Sequence, residues 1–351
     1  METLLQVKNL SVYIEKEKKR FRPVNNISFD LLPNEITGIV GESGCGKTLT
    51  ALSIASLLPP VARAEGSILL KTPGLLNTSG TNQWLDLLQL KETELCSVRG
   101  KEISMIFQEP FSSLNPLQRI GSQITETQEI HFGKKSRRQY REGAVALMRK
   151  LGLENPEKLI DAYPFQLSGG MCQRVMIALA MILGPKILIA DEPTTALDIN
   201  TQEQILKLLQ QINRESGTSI LFISHDLGVI RQICHRVMVM YAGKIVEEGS
   251  VDEVFSNPGH EYTRSLLSAL PERNRKGERL KVIPGKVPLL EELSADSSTE
   301  STVELSEISG CPFSSRCEKA EEQCHDKFPE KIKISETHVS CCILAVGERL
   351  P

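Results

Sequence analysis

The sequence predicts an α/β fold, and three observations predict it. Short apolar runs recur, each ending in a polar or glycine-rich turn: "EITGIVG" from 35, "ISMIFQ" from 103, "KILIADEP" from 186 and "SILFISHD" from 219. Runs without polar alternation are what strands of a buried parallel sheet require. Helical patterns lie between them. Around residues 112–168 the strand signal gives way to helical segments such as "QYREGAVALMRKLGL", so a helical subdomain is expected inside the α/β core.

In chain order, "LLQVKNLSVYI" and "NNISFDLL" at the start read as strands, as does the hairpin "RVMVMYAGKIVEEG" from 236, all as antiparallel additions at an edge. "GESGCGKT" at 41–48 leaves the first parallel strand and opens the apolar helix "KTLTALSIASLL". "LSGGMCQRV" at 167–175 reads as a helix start with a serine and two bare glycines at its mouth, a way to build an anion site. In "TQEQILKLLQQINRESG" from 201, Ile205, Leu208, Leu209 and Ile212 fall at i, i+3, i+4 and i+7, and Gly217 supplies a stop. "EKEKKR" at 15–20 reads as a solvated loop. "GKKSRRQYR" at 133–141 reads as a helix start with a wet face, or as a contact for anionic lipid headgroups. Residues 291–310 hold six acidic residues, six serines and no basic residue, and are expected to form a disordered tether.

Composition bounds the function. A chain of 351 residues can bury a substantial core and hold a large domain plus a smaller one. Its net charge of -3 offers no footprint for nucleic acid, so no nucleic-acid partner is expected. No apolar run reaches the roughly 18 residues that a membrane-crossing helix needs, and the start lacks a signal-peptide pattern. Neither membrane spanning nor secretion is therefore expected. Of nine cysteines, Cys45, Cys96, Cys172 and Cys234 are scattered as reduced cytoplasmic thiols would be, while five crowd into residues 311–342.

"GESGCGKT" fits the phosphate-binding pattern G-x-x-x-x-G-K-[ST], in which backbone N–H groups cradle phosphate oxygens because glycine lets the main chain approach closely. The binding set is Gly41, Ser43, Gly44, Cys45, Gly46, Lys47, Thr48 and Leu49. Lys47 is expected to reach the β and γ phosphates of ATP, and the Thr48 hydroxyl to bind Mg²⁺. Such a loop needs a carboxylate for the metal and a group for the attacking water. The strand end "ILIADEP" supplies Asp191 for Mg²⁺ and Glu192 as candidate base. Gln108 and His225 end two other strands; taken singly, either could be structural.

As a set these stretches resemble the ATP-binding subunits of ABC transporters: "GESGCGKT" (Walker A), Gln108 (Q-loop), "LSGGM" (signature), "ILIADE" (Walker B), "TALD" at 195–198 (D-loop) and His225 (switch histidine), in family order over about residues 4–260. The resemblance implies a P-loop (RecA-like) ABC ATPase core with an antiparallel β edge and an inserted helical subdomain, plus a small Cys-rich C-terminal extension. Residues 1–262 would be the nucleotide-binding domain and 263–351 the extension, with an acidic linker at 291–310 and the Cys-rich segment at 311–342. Glu192 would polarise the attacking water, His225 would contact the γ-phosphate, and Gln108 would be a further Mg²⁺ ligand that joins the metal site to a membrane-facing groove. Asp198 would belong to the nucleotide interface. Ser168, Gly169 and Gly170 would close on ATP held by the Walker A loop of a second, head-to-tail ATP-binding subunit.

"IFQEPFSSLNP", "NPGHEYTRSLLSALP", "IPGKVP" and "GCPFSSRC" narrow the likeness to oligopeptide, dipeptide and nickel importers, over nearly the whole chain. Expected partners are a paralogous second ATP-binding subunit, two transmembrane permease subunits and, indirectly, an extracytoplasmic solute-binding protein. The expected place is the cytoplasmic face of the inner membrane. Cys172 stands where that group usually has arginine, and Ile14 stands where an adenine-stacking aromatic is sought, one place after Tyr13. Some members of the group carry a [4Fe–4S] cluster in this C-terminal region, and Cys311, Cys317, Cys324 and Cys341 are the chosen ligands, with Cys342 as the fallback for the last. Zinc and plain reduced thiols are the alternatives. A soluble ABC ATPase of translation or DNA repair is the rival function from another class; no second nucleotide domain or long coiled-coil insertion supports it.

Overall fold

The computed structural model describes residues 2–16, 19–72, 84–133, 137–195, 197–270, 282–287 and 310–349. The proposed tether 291–310 therefore lies, but for Gly310, outside the described residues. The chain runs β1 (Leu5–Lys16), β2 (Lys19–Leu31), β3 (Ile36–Val40), α1 (Lys47–Ile54), β4 (Ala62–Lys71), β5 (Trp84–Asp86), α2 (Glu92–Val98), β6 (Ile103–Ile106) and α3 (Pro110–Ser113). It continues with α4 (Ile120–Phe132), α5 (Arg137–Lys150), α6 (Pro156–Leu159), α7 (Gly169–Met181), β7 (Ile187–Asp191), α8 (Ile199–Ser216), β8 (Ser219–Ser224) and α9 (Leu227–Ile233). The remainder is β9 (Arg236–Tyr241), β10 (Lys244–Ser250), α10 (Val251–Ser256), α11 (Glu261–Ser268), α12 (Gln323–Asp326), β11 (Ile332–Lys333), β12 (Val339–Ser340) and β13 (Glu348–Arg349).

Two compact units result. The first comprises Met1–Leu32, Ile36–Gln89 and Ser224–Pro351. Here β1, flanked by β2 and β4, forms an antiparallel sheet in the order β2-β1-β4-β5, so the opening strands make a sheet of their own. A second run has the order β13-β11-β12-β10-β9-β3. β9 pairs parallel to β3 and antiparallel to β10, so one strand of the expected hairpin is also a parallel neighbour of the phosphate-loop strand. The hairpin turns on Ala242 and Gly243, both at positive φ (43° and 81°), the two-residue geometry whose twist matches its strands. β3 is buried at all five positions, as its unbroken apolar run requires.

The second unit comprises Pro33–Glu35 and Leu90–Ile223. Its strands β8, β7 and β6 are parallel and adjacent in that order, and every residue of β7 and β8 is buried. α8 is amphipathic as its spacing predicts: Asp198 caps its start, Gly217 ends it in the left-handed conformation, and Ile205, Leu208, Leu209 and Ile212 are buried. Helices α4, α5 and α6 occupy most of 112–168. α1 stops at Ile54, short of its apolar pattern, because Ser56 turns left-handed (φ 54°) and the Leu57 N–H reaches back to the Leu52 carbonyl.

Candidate functional site

In the first unit the chain leaves β3 into the loop 41–46 and enters α1 at Lys47. Each glycine there has its own cause. A Cβ on Gly41 would lie 2.1 Å from the Met240 carbonyl oxygen, and one on Gly46 (φ 104°) 2.5 Å from that of Pro23. Gly44 sits at φ 80° with nothing within 4 Å of where its Cβ would be. Packing therefore forces two of the glycines, while the third faces open space and supplies a backbone turn with exposed N–H character. Lys47 is 5% exposed, and its Nζ donates to the neutral carbonyls of Gly41 (2.9 Å) and Glu42 (3.1 Å). A buried cation held by neutral oxygens beside an open glycine turn fits the phosphates of ATP. Thr48 and Leu49 lie in the first turn of α1, and Cys45 is fully buried, which raises its thiol pKa.

The loop has supports that motif reading missed. The Glu42 N–H donates to the Tyr262 hydroxyl on α11 (2.9 Å). The Glu42 carboxylate takes both ends of the Arg316 guanidinium, at 2.7 and 3.1 Å. Arg316 lies in the C-terminal extension, inside "CPFSSRC", and nothing in the spacing signals its partner. Burial works against the Arg316 charge, and the bonds to Glu42 and Tyr241 outweigh it, so its pKa is raised. Tyr13 is buried with the Arg20 guanidinium 3.8 Å from its ring centroid. His225 follows β8 and is exposed.

In the second unit the structure brings together two residues 84 apart in sequence. Gln108 Nε2 donates to Glu192 Oε2 at 3.2 Å, and the Thr195 hydroxyl donates to the same oxygen at 2.9 Å. Glu192 itself has φ 46°, a left-handed conformation that costs a non-glycine residue about 1–3 kcal/mol and is retained where function fixes the geometry. Asp191, before it, is buried at the end of β7 and is the carboxylate suited to Mg²⁺.

At the mouth of α7, Ser168 is the N-cap and its hydroxyl accepts the Met171 N–H at 3.3 Å. A Cβ on Gly170 would approach Thr201 Cγ2 to 2.7 Å, whereas one on Gly169 would meet nothing nearer than 3.9 Å. Thr201 is in turn held by Asp198, through its N–H at 3.0 Å and its hydroxyl at 2.7 Å. Signature and D-loop residues thus share one packed corner. Cys172 is fully buried with its thiol toward the Pro164 carbonyl (3.5 Å), and burial pushes its pKa up to about 11. A small neutral side chain suits that place better than the arginine usual in the group.

The described residues give no support to the metal reading of the extension. Among the described residues no group of three or more His, Cys, Asp or Glu is placed to hold a metal ion. Cys341, chosen as fourth ligand, sends its thiol to the Ile245 carbonyl (3.8 Å), beside Lys331, Glu248 and Lys244. The Cys311 thiol instead lies 3.8 Å from His260 Nε2. Cys341 and Cys342 directly follow β12, and the Cys341 N–H donates to the Val246 carbonyl at 2.8 Å, which holds Cys341 against β10. Burial raises the Cys311 thiol to about 12, so it is a protonated thiol and not a ready thiolate.

A family model described as "ABC transporter" matches residues 24–195, and one described as "Oligopeptide/dipeptide transporter, C-terminal region" matches 246–324. The chain is 42% identical to a probable peptide ABC transporter ATP-binding protein of Sinorhizobium fredii, over 97% of this chain and 95% of that one. It belongs to the ABC transporter family. Another ABC relative, the oligopeptide transport ATP-binding protein AppD of Bacillus subtilis, is 39% identical over 98% of this chain and 97% of its own length. Among solved ABC structures, a dimeric ATP-binding cassette in a post-hydrolysis state bound to ADP and Pi aligns with TM-score 0.61 and 27% identity, covering 70% of this chain and 98% of that one. The chain is accordingly an ABC-type ATPase with the α/β fold of that family's cassettes.

Proposed function

We propose that this chain is the ATP-hydrolysing subunit of an importer for di- and oligopeptides. One observation carries the peptide assignment: the phosphate-loop domain is followed, in the same chain, by a region matching the oligopeptide/dipeptide transporter C-terminal family. In this reading Lys47 and the N–H groups of 44–48 bind the β and γ phosphates, with Thr48 and Asp191 as Mg²⁺ ligands. Glu192 orients and deprotonates the attacking water. Gln108 and Thr195, both bonded to Glu192, hold its carboxylate in place, and His225 contacts the γ-phosphate. Ser168–Gly170 serve the ATP of a second ATP-binding subunit packed head to tail, and a paralogue fits that role.

Docking onto two permease subunits at the cytoplasmic face of the inner membrane is supported by the apolar residues flanking Gln108, since Phe107, Phe111 and Leu117 are all exposed. No helix among the described residues is long and apolar enough to cross a membrane, which suits a peripheral role. An extracytoplasmic solute-binding protein would act indirectly. The test is copurification with the permease followed by ATPase assays. Stimulation by peptide-loaded binding protein is the expected result; stimulation by a nickel chelate and not by peptides refutes the peptide assignment.

For the C-terminal thiols we propose Cys311, Cys317, Cys324 and Cys342 as the ligand set of a [4Fe–4S] cluster. Support comes from their crowding in the sequence. Loading requires these thiols to close in and to lose their protons, since the described residues form no metal-holding group. Iron and zinc contents of anaerobically purified protein decide. Iron with absorbance near ~400 nm supports the cluster; zinc alone, or neither metal, refutes it.

A further inference from the structure

A carboxylate inside a phosphate-binding loop is electrostatically misplaced. Glu42 is the second residue of "GESGCGKT", and an ionised side chain there repels the polyanion that the loop is built to hold. The structure answers this charge from a distant part of the chain. Arg316 Nη1 and Nη2 donate to the two Glu42 carboxylate oxygens at 2.7 and 3.1 Å, a two-point fork. Their side chains are 5% and 27% exposed, so this is no solvent-screened surface pair. Two further guanidinium donors are fixed too: Nε donates to the Pro284 carbonyl at 2.8 Å and Nη1 also to the Tyr241 hydroxyl at 3.2 Å.

The ion pair is framed by an aromatic cluster. Tyr241, at the end of β9, packs on Tyr262 (centroids 4.5 Å apart) and on Phe313 (5.4 Å), and Phe313 lies three residues before Arg316. Tyr262 accepts the Glu42 N–H, so one rigid group fixes both the backbone and the side chain of Glu42. The Glu42 carbonyl then accepts from Lys47 Nζ. An unbroken path of contacts therefore runs from Arg316 through Glu42 to the lysine of the phosphate site.

We propose that Arg316 is a positioning residue of the nucleotide site, contributed by the C-terminal extension, which neutralises Glu42 and fixes the backbone to which Lys47 is bound. Without it, the loop presents an uncompensated negative charge to ATP. The inference rests on reading residues 41–48 as the ATP site, and the experiment separates the two.

The apparent Kd for MgATP is measured on the full-length chain for wild type, Arg316→Met, Glu42→Gln, the double variant and Lys47→Ala, with near-ultraviolet circular dichroism and thermal melts on each. Arg316→Met is expected to weaken binding by about tenfold. Glu42→Gln should bind as tightly as wild type or tighter, and the double variant should return to within about threefold of Glu42→Gln, because no charge is left to compensate. A purely architectural arginine would not be rescued by removing its partner. Unchanged binding in a folded Arg316→Met overturns the proposal. So does a double variant much weaker than Glu42→Gln, a comparison that stands even where Arg316→Met does not fold. Wild-type affinity in Lys47→Ala would instead refute the ATP-site reading itself.

Discussion

The loop 41–48 and the mouth of α7 use the same device, backbone N–H groups and small residues at the start of a helix, in opposite settings. In the loop, Gly41 and Gly46 are forced by neighbouring carbonyls while Gly44 alone has room, Lys47 is buried, and Glu42 is tied to Tyr262 and Arg316. At α7, Ser168 is exposed, Gly169 has room beside it, and the one tight contact, Gly170 against Thr201, serves helix packing. A site that holds its ligand through its own chain is braced from behind. A site left exposed with spare room suits a ligand brought by another subunit.

The largest effect expected is on neither device. Glu192→Gln keeps both intact but removes the proposed base, so phosphate release should fall by about 10²- to 10⁴-fold while ATP still binds. Near wild-type turnover in assembled transporter would exclude Glu192 as the base. Lys47→Ala breaks the braced site: losing a charge-assisted contact of about 1.5–3 kcal/mol should raise the Kd for ATP by roughly ten- to a hundredfold in equilibrium titration. Ser168→Arg breaks the exposed site and should abolish closure with a partner subunit, leaving this chain's own ATP affinity within about threefold of wild type. If nucleotide trapping shows that the site containing this chain's Lys47 is the one lost, the assignment in trans is wrong.

The smallest effect concerns the extension that braces the loop side. Glu253, in the capping box of α10, accepts from Ser250 and from the Ser335 and Thr337 hydroxyls of the extension, and these bonds hold its pKa near about 2. A carboxyl depressed in the folded state stabilises it above the unfolded value of 4.5, and that contribution is lost as pH falls from there toward about 2. Glu253→Gln should therefore lower Tm by a few degrees at pH 7, equivalent to about 1 kcal/mol, with the gap to wild type narrowing as pH falls below 4.5 and closing toward about 2. A gap that stays constant with pH would mean that packing, not charge, is what the residue supplies.

Much of this was legible in the sequence, for physical reasons. β3, β6, β7 and β8 are runs buried on both faces, so composition alone marks them, and the phosphate loop announces itself because its backbone geometry admits few residues besides glycine. β4 escaped: "ARAEGSILLK" begins polar, and only its second half is apolar enough to signal. The pairing of Gln108 with Glu192 is invisible from spacing, since parallel strands join residues that the chain separates by whole helices. Choosing between Cys341 and Cys342 needs the contact of the Cys341 thiol with the Ile245 carbonyl, which spacing does not give. Arg316 reads as an ordinary loop arginine until Glu42 is set against it.

That partnership has a consequence for how the molecule is made. Glu42 and Arg316 are 274 residues apart. At a synthesis rate of roughly 5–20 residues per second, a nascent chain carries its complete glycine loop for about 15–55 seconds before the arginine leaves the ribosome. Throughout that interval the loop has its lysine and its unanswered carboxylate. If Arg316 answers Glu42 as proposed, the growing polypeptide binds ATP about tenfold more weakly than the finished chain until its far end has been translated and folded back.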